Sequence, residues 1–151
     1  MPIVTNNEKI DLFSEDQTKG LANKIIKKLR LKDIIFLYGE IGVGKTTFTK
    51  YLINAFQKNN KMKLTEVTSP TFSLLNEYKI NHIRIKHYDL FRIRFSEELK
   101  NLDLFNEKDE SITLVEWPQI IKKKPKNLIE LFFNYENNYR SRSLIIKGLD
   151  L

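Results

Sequence analysis

Gly39-Glu40-Ile41-Gly42-Val43-Gly44-Lys45-Thr46-Thr47 is the stretch that decides the fold of this 151-residue chain. It holds three of the chain's five glycines and reads G-x-x-x-x-G-K-T, the pattern of a phosphate-binding P-loop. Glycines let the backbone turn its N–H groups inward around a polyphosphate, at angles that a Cβ would obstruct. Lys45 can reach the β- and γ-phosphates, and the Thr46 hydroxyl can enter the shell of a Mg²⁺ ion. A helix starting here adds the positive end of its dipole beneath the phosphates. Each residue from Gly39 to Thr47 is therefore a candidate for nucleotide binding.

The flanks supply the context that the motif requires. Ile34-Ile35-Phe36-Leu37-Tyr38 is a short apolar run of the kind a buried strand gives. Phe48, Tyr51, Leu52, Ala55 and Phe56 recur at i, i+3, i+4, i+7 and i+8, which makes one apolar helix face. Strand, glycine loop and amphipathic helix set this segment apart from a glycine-rich turn with no ligand, and imply a nucleoside triphosphate.

Outward from the loop, Ile3-Val4-Thr5 reads as a short edge strand. Ser14 with Gln17 forms a capping box, opening a helix whose face is Leu21, Ile25, Ile26 and Leu29 and which ends near Arg30. The P-loop helix runs to about Gln57. Thr65-Glu66-Val67 reads as a short strand, and residues 72–80 and 83–88 as a hairpin around Asn81-His82. Ser96 to Leu99 suggests a helix start and Ile112 to Val115 a buried strand. Residues 128–135 and 143–147 read as a final hairpin around Asn137-Asn138. The pattern predicts one α/β domain of P-loop NTPase type over residues 1–151, with a mixed central β-sheet flanked by helices, because some strands are joined by hairpins.

Composition narrows the chemistry. With no cysteine, disulfides, zinc ribbons and thiol catalysis are excluded. No stretch approaches the roughly 18 apolar residues of a membrane span, and the first residues lack a signal peptide's regions. The expectation is a cytoplasmic chain with no membrane partner. The net charge of +7 suits acidic partners, nucleic acid included. Lysine outnumbers arginine twenty to six, however, and arginine is the better residue for bidentate phosphate recognition. Lys122-Lys123-Lys124, with Lys126 beyond Pro125, is the basic patch and reads as a solvated loop.

A P-loop ATPase needs an acid at a strand end near Mg²⁺. Asp89 ends the strand Ile83 to Tyr88, and Glu116 ends the strand Ile112 to Val115. Either can hold the metal through water or polarise an attacking water. Thr68-Ser69-Pro70-Thr71 sets three hydroxyls around a rigid proline, either as a switch that senses the γ-phosphate or as an ordinary polar turn. Trp117 either packs on the nucleotide or plugs the edge of the core.

The P-loop, then Thr68-Ser69-Pro70-Thr71-Phe72, His87-Tyr88-Asp89-Leu90-Phe91-Arg92 and Leu114-Val115-Glu116-Trp117-Pro118 occur in order at fitting intervals. Together they resemble the bacterial ATPase of tRNA threonylcarbamoyladenosine synthesis (the TsaE, or YjeE, family) over essentially the whole chain. The resemblance implies that ATP and Mg²⁺ are the cofactors, with Thr46 and Glu116 coordinating the metal. Lys45, Asp89 and Glu116 would be the catalytic set, Asp89 positioning water or coupling the switch of Thr68, Ser69, Pro70 and Thr71 to hydrolysis. Glu15, Gln119 and Arg140 match positions around the nucleotide. The implied partner is the threonylcarbamoyl-transferase heterodimer, with tRNA touched indirectly or weakly and hydrolysis slow without the partner. Departures are Phe91 in place of a tyrosine, fuller residues inside the loop, and Tyr139 in place of a glycine before Arg140. Two rival readings are a nucleotide-gated binding module without useful hydrolysis and a small-molecule P-loop kinase.

Overall fold

The computed structural model describes residues 9–70, 72–106, 108 and 110–151. The expected strand Ile3-Val4-Thr5 and the switch residue Thr71 lie outside the described residues. Those described build β1 (Lys9–Leu12), β2 (Ile34–Tyr38), β3 (Leu75–Ile80), β4 (Ile83–Asp89), β5 (Ser111–Glu116), β6 (Leu128–Glu136) and β7 (Ser141–Lys147). They form one sheet in the order β1-β7-β6-β2-β5-β4-β3. The central four, β6, β2, β5 and β4, run parallel, and hairpins or an edge pairing add β3, β7 and β1 antiparallel. The sheet is mixed, as the hairpin-connected order predicts.

Alternation along the strands sorts side chains to two faces. Ile35 and Leu37 of β2, Leu114 of β5 and Leu131 of β6 share one core with helix α1 (Glu15–Ile26) and helix α2 (Lys45–Asn59). Their neighbours Ile34, Phe36 and Val115 face the other way, into a core closed by Tyr88, Leu90 and Leu104. Covering on both sides explains why β2 reads as an unbroken apolar run. The helix start expected at Ser96 is a 3₁₀ turn, Ser96–Asn101, over this second face.

Local chemistry sets the boundaries. The Gln17 N–H donates to Ser14 Oγ at 3.3 Å and the Ser14 N–H to Gln17 Oε1 at 3.2 Å, the reciprocal capping box that opens α1. The helix stops at Ile26, short of Arg30, where the Asp33 carboxylate takes the Arg30 N–H at 2.8 Å and offers the backbone a non-helical partner. Thr65-Glu66-Val67 is not a strand. The Thr65 N–H donates to Gln57 Oε1 (3.2 Å) and its carbonyl accepts from Asn54 Nδ2 (3.1 Å), so α2 side chains take the groups a ladder would use. Strand β3 begins at Leu75 instead of residue 72, because the Leu74 N–H closes a turn on the Pro70 carbonyl at 2.9 Å. Strand β1, unforeseen in the sequence, pairs Ile10 with Leu144. The result collects the carboxyl ends of β2, β5 and β4, where ligands of open α/β sheets bind.

Candidate active site

Strand β2 delivers the chain into the glycine loop, and the geometry there requires glycine. Gly39 has φ 149°, and a Cβ on it would sit 2.6 Å from Val43 Cγ1 and 2.9 Å from the Phe133 carbonyl oxygen. Gly42 has φ 77°, and its Cβ would meet Tyr135 Oη at 3.1 Å. The hairpin β6–β7 steadies the loop: Tyr135 donates to the Ile41 carbonyl (3.2 Å), and Arg142 to the Gly42 carbonyl (3.4 Å). The cradle opens into a cleft of about 750 Å³.

Lys45, the first residue of α2, is only 4% exposed, a rare state for lysine. Its ammonium donates to the carbonyls of Gly39 and Glu40 and lies 3.7 Å from the centre of the Trp117 ring. Burial pushes its pKa down, against the attraction of Glu116 and Asp89. Trp117 reaches this position through a left-handed backbone (φ 57°, ψ 54°), which a non-glycine residue holds only when its surroundings enforce it. Its ring also meets Phe91 at 4.8 Å between centres and packs on the second core. Of its two expected roles, Trp117 shows the second, packing at the edge of the second core, and it also covers the P-loop lysine.

The acids stand side by side. Asp89 ends β4, Glu116 ends β5, and the two are register partners on adjacent parallel strands. Thr46 Oγ1 lies 3.2 and 3.3 Å from the two Glu116 oxygens. His87 Nε2 holds Glu116 Oε2 at 2.6 Å, with both side chains buried. An ionised carboxylate only accepts, so the hydrogen between them belongs to Nε2. His87 Nδ1 is buried and has no hydrogen-bond partner among the described residues. Asp89 has different partners: Oδ2 accepts from Ser69 Oγ at 2.5 Å and Oδ1 from the Phe91 N–H at 3.0 Å.

The expected site residues divide clearly. Ile41, Gly42, Val43, Gly44, Lys45, Thr46, Thr47, Glu15, Ser69, Asp89 and Glu116 all line the cleft. Glu15 accepts from Tyr51 Oη at 3.0 Å. Gly39 and Glu40 border an adjoining cavity beside β6 and meet the cleft through Lys45. Pro70 is buried and Thr68 exposed, and the Thr68 carbonyl accepts from Asn76 Nδ2 at 3.1 Å. Gln119 is exposed in the 3₁₀ turn Pro118–Ile120, and Arg140 is exposed in the β6–β7 turn; neither lines the cleft. The arginine that does is Arg142, two residues further on. Sequence reasoning also passed over His87 and Tyr135. For His87 a signal existed, since it stands two residues before Asp89 and so shares its strand face.

The donor set fits a magnesium nucleotide: a glycine cradle that side chains would fill, a lysine, and a threonine hydroxyl on a strand-end carboxylate. Fold and site together define a P-loop NTPase-type protein. The family model described as threonylcarbamoyl adenosine biosynthesis protein TsaE matches residues 12–144, and the chain belongs to that family. A Rickettsia conorii protein named tRNA threonylcarbamoyladenosine biosynthesis protein TsaE is 34% identical, over 89% of this chain and 83% of its own. Namesakes from Rickettsia bellii (40% identical; 83% of this chain, 85% of theirs) and Aquifex aeolicus (35%; 81% and 84%) agree. The crystal structure of Bacillus subtilis YdiB superposes with a TM-score of 0.71 over 98% of this chain and 90% of that one. At 20% identity this likeness speaks to fold. Among the described residues no helix is long and apolar enough to cross a membrane.

Proposed function

We propose that this chain is an ATPase of tRNA threonylcarbamoyladenosine biosynthesis, working with the threonylcarbamoyl-transferase heterodimer of that pathway. The names of its relatives support the pathway. The observation that carries the chemistry is the chain Thr46–Glu116–His87 at the mouth of the P-loop.

In this reading the backbone N–H groups of Gly42 to Thr47 bind the phosphates, and Lys45 exchanges the Gly39 and Glu40 carbonyls for phosphate oxygens. Thr46 and Glu116 would hold Mg²⁺, which when bound supplies Lewis-acid neutralisation of phosphate charge. His87 keeps Glu116 in its rotamer. Asp89 orients a water with the carboxylate that now accepts from Ser69, so that the Ser69 segment and the acid respond together. Arg142 is engaged with the Gly42 carbonyl, and Arg92 lies against the Phe72 ring at 4.9 Å. An arginine finger, a contribution worth about 10³–10⁵ in rate, would have to come from one of these once released from its present contact or from the partner. Hydrolysis by the chain alone is therefore slow, and the partner accelerates it.

The test is multiple-turnover threonylcarbamoylation of tRNA by the heterodimer, with and without this chain, while ATP hydrolysis is followed. Repeated turnover with the wild type and none with Lys45→Ala supports the proposal. ATP binding with neither hydrolysis nor restored turnover would leave a nucleotide-gated binding module instead.

A further inference from the structure

A separate cavity of about 480 Å³ opens where β2, β5 and β6 begin, at the opposite end of these strands from the P-loop. No residue lines both it and the cleft. Its floor is apolar and partly aromatic, formed by Ile34, Leu104 and Phe105. Its rim is cationic. Lys123, Lys124 and Lys126, a solvated loop by sequence, are joined here by Lys32, from the turn before β2. Lys124 is paired with Glu130 at 3.1 Å, while Lys32, Lys123 and Lys126 have no ion-pair partner among the described residues. No acidic residue is among those described as lining the cavity.

The wall carries a further, independent feature. Ser111 and Thr113 line the cavity from β5 at 3% and 5% exposure. Among the described residues, neither hydroxyl has a hydrogen-bond partner. Neither hydroxyl oxygen is among the buried atoms left without a partner, so both are open to the cavity and can pair with what enters it.

We infer that this cavity is an RNA-binding site, taking one unstacked nucleotide of a tRNA strand with its flanking phosphates; the choice of tRNA rests on the function proposed above. The base lies on Phe105 and Ile34, as bases stack on aromatic and apolar surface in single-strand recognition. The ribose 2′-hydroxyl, both donor and acceptor, meets Ser111 and Thr113. Lys32, Lys123 and Lys126 take the phosphates. An acidic peptide would use the lysines alone and leave the apolar floor and the bare hydroxyls unexplained. Lysines bind phosphate as point charges, so recognition is tolerant of sequence and sensitive to salt.

The experiment is direct titration of a fluorescent, unmodified tRNA transcript at several salt concentrations. It compares wild type, K32Q/K123Q/K126Q and the charge-matched control K27Q/K58Q/K79Q, whose lysines are exposed elsewhere. The expected result is that the pocket triple loses about tenfold or more in affinity. Its slope of log affinity against log salt also flattens by about 2 relative to wild type, roughly 0.7 for each lost phosphate contact. The control stays close to wild type. Equal effects of the two triples, or no wild-type binding at low salt, would overturn the inference. So would a pocket triple that keeps the wild-type tRNA affinity, because the lysines would then serve something other than RNA. The titration contains neither ATP nor the heterodimer, so its failure leaves the turnover result standing, and the reverse holds too.

Discussion

Replacing His87 by phenylalanine separates a positioning role from a packing role. The ring keeps its bulk in a fully buried place, while the hydrogen bond to Glu116, 2.6 Å long, is lost. A hydrogen bond to a charged group contributes about 1.5–3 kcal/mol. The same change also removes Nδ1, a buried atom without a partner among the described residues, whose unmet desolvation costs about 1–3 kcal/mol. The two effects largely offset, so the net stability change is about 1 kcal/mol, or roughly 2–4 °C in a protein of this size. Binding should respond far more. Partners that orient a metal-binding group are typically worth 10–100-fold in metal affinity. A fluorescent ATP analogue titrated with Mg²⁺ should therefore bind His87→Phe about 10–100-fold more weakly. In EDTA the affinities should agree within about threefold, because the P-loop contacts are untouched. His87→Gln, with an amide donor, should recover part of the loss. Equal weakening with and without Mg²⁺ would refute the reasoning, as would a melting temperature more than about 10 °C lower.

Four further outcomes follow from the site and the sheet. Ser69→Ala removes the donor to Asp89; hydrolysis without the partner should rise and the partner's stimulation should fall about tenfold or more, while nucleotide affinity changes less than threefold, as read by coupled ADP release and by titration. Arg142→Ala frees the Gly42 carbonyl and should weaken ADP binding about three- to tenfold by calorimetry, whereas Arg140→Ala, outside the cleft, should leave it unchanged. The single tryptophan carries the Lys45 ammonium over its ring, so nucleotide that recruits Lys45 should shift Trp117 emission in the wild type and much less in Lys45→Ala. Burial, and then the hydrogen bond donated to Glu130 (2.7 Å), raise the Tyr38 pKa above the ordinary tyrosine value. Unfolded tyrosine ionises near pH 10, so the folded state holds its proton longer and stability falls as pH rises above about 10. Tyr38→Phe should flatten that decline in urea midpoints measured from pH 9 to 11.

What was legible in the sequence was what short-range chemistry specifies. The P-loop with its strand and helix, the Ser14 capping box and the Asn81-His82 hairpin each rest on a few neighbouring residues, and each formed as expected. Asp89 and Glu116 were legible as strand ends, but that they are neighbours depends on β4 and β5 pairing in parallel, a fact of register. Thr65-Glu66-Val67 has strand-like composition, yet side chains of α2 reach its backbone first. Arg140 and Arg142 could not be told apart by motif spacing, because only the β6–β7 turn decides which of the two reaches the loop. The lysine-rimmed cavity was invisible for the same reason, since Lys32 joins the later lysines only once β2 lies between β5 and β6.

The two acids are equivalent in sequence position and unequal in their bonds, and that inequality assigns their parts in the proposed cycle. Two carboxylates on adjacent strand ends repel, and Lys45 is the cation whose field both of them share. Glu116 is held from within by His87 on the same sheet face and by Thr46 on the first turn of α2. His87 is fully buried and Thr46 sits at the start of a helix packed on the core, which suits an acid that must keep one position while ligands exchange. Asp89 is held instead by Ser69, on a segment that leads into Phe72, which is 84% exposed. Any partner that draws this segment outward acts first on the Ser69–Asp89 bond, and releasing it frees a carboxylate oxygen beside the P-loop. A contact made at the surface can in this way alter the acid without disturbing Thr46 and Glu116, the pair proposed to hold Mg²⁺. That is the physical route by which docking would quicken hydrolysis, and it predicts that Ser69→Ala uncouples the partner while sparing Mg²⁺-dependent binding.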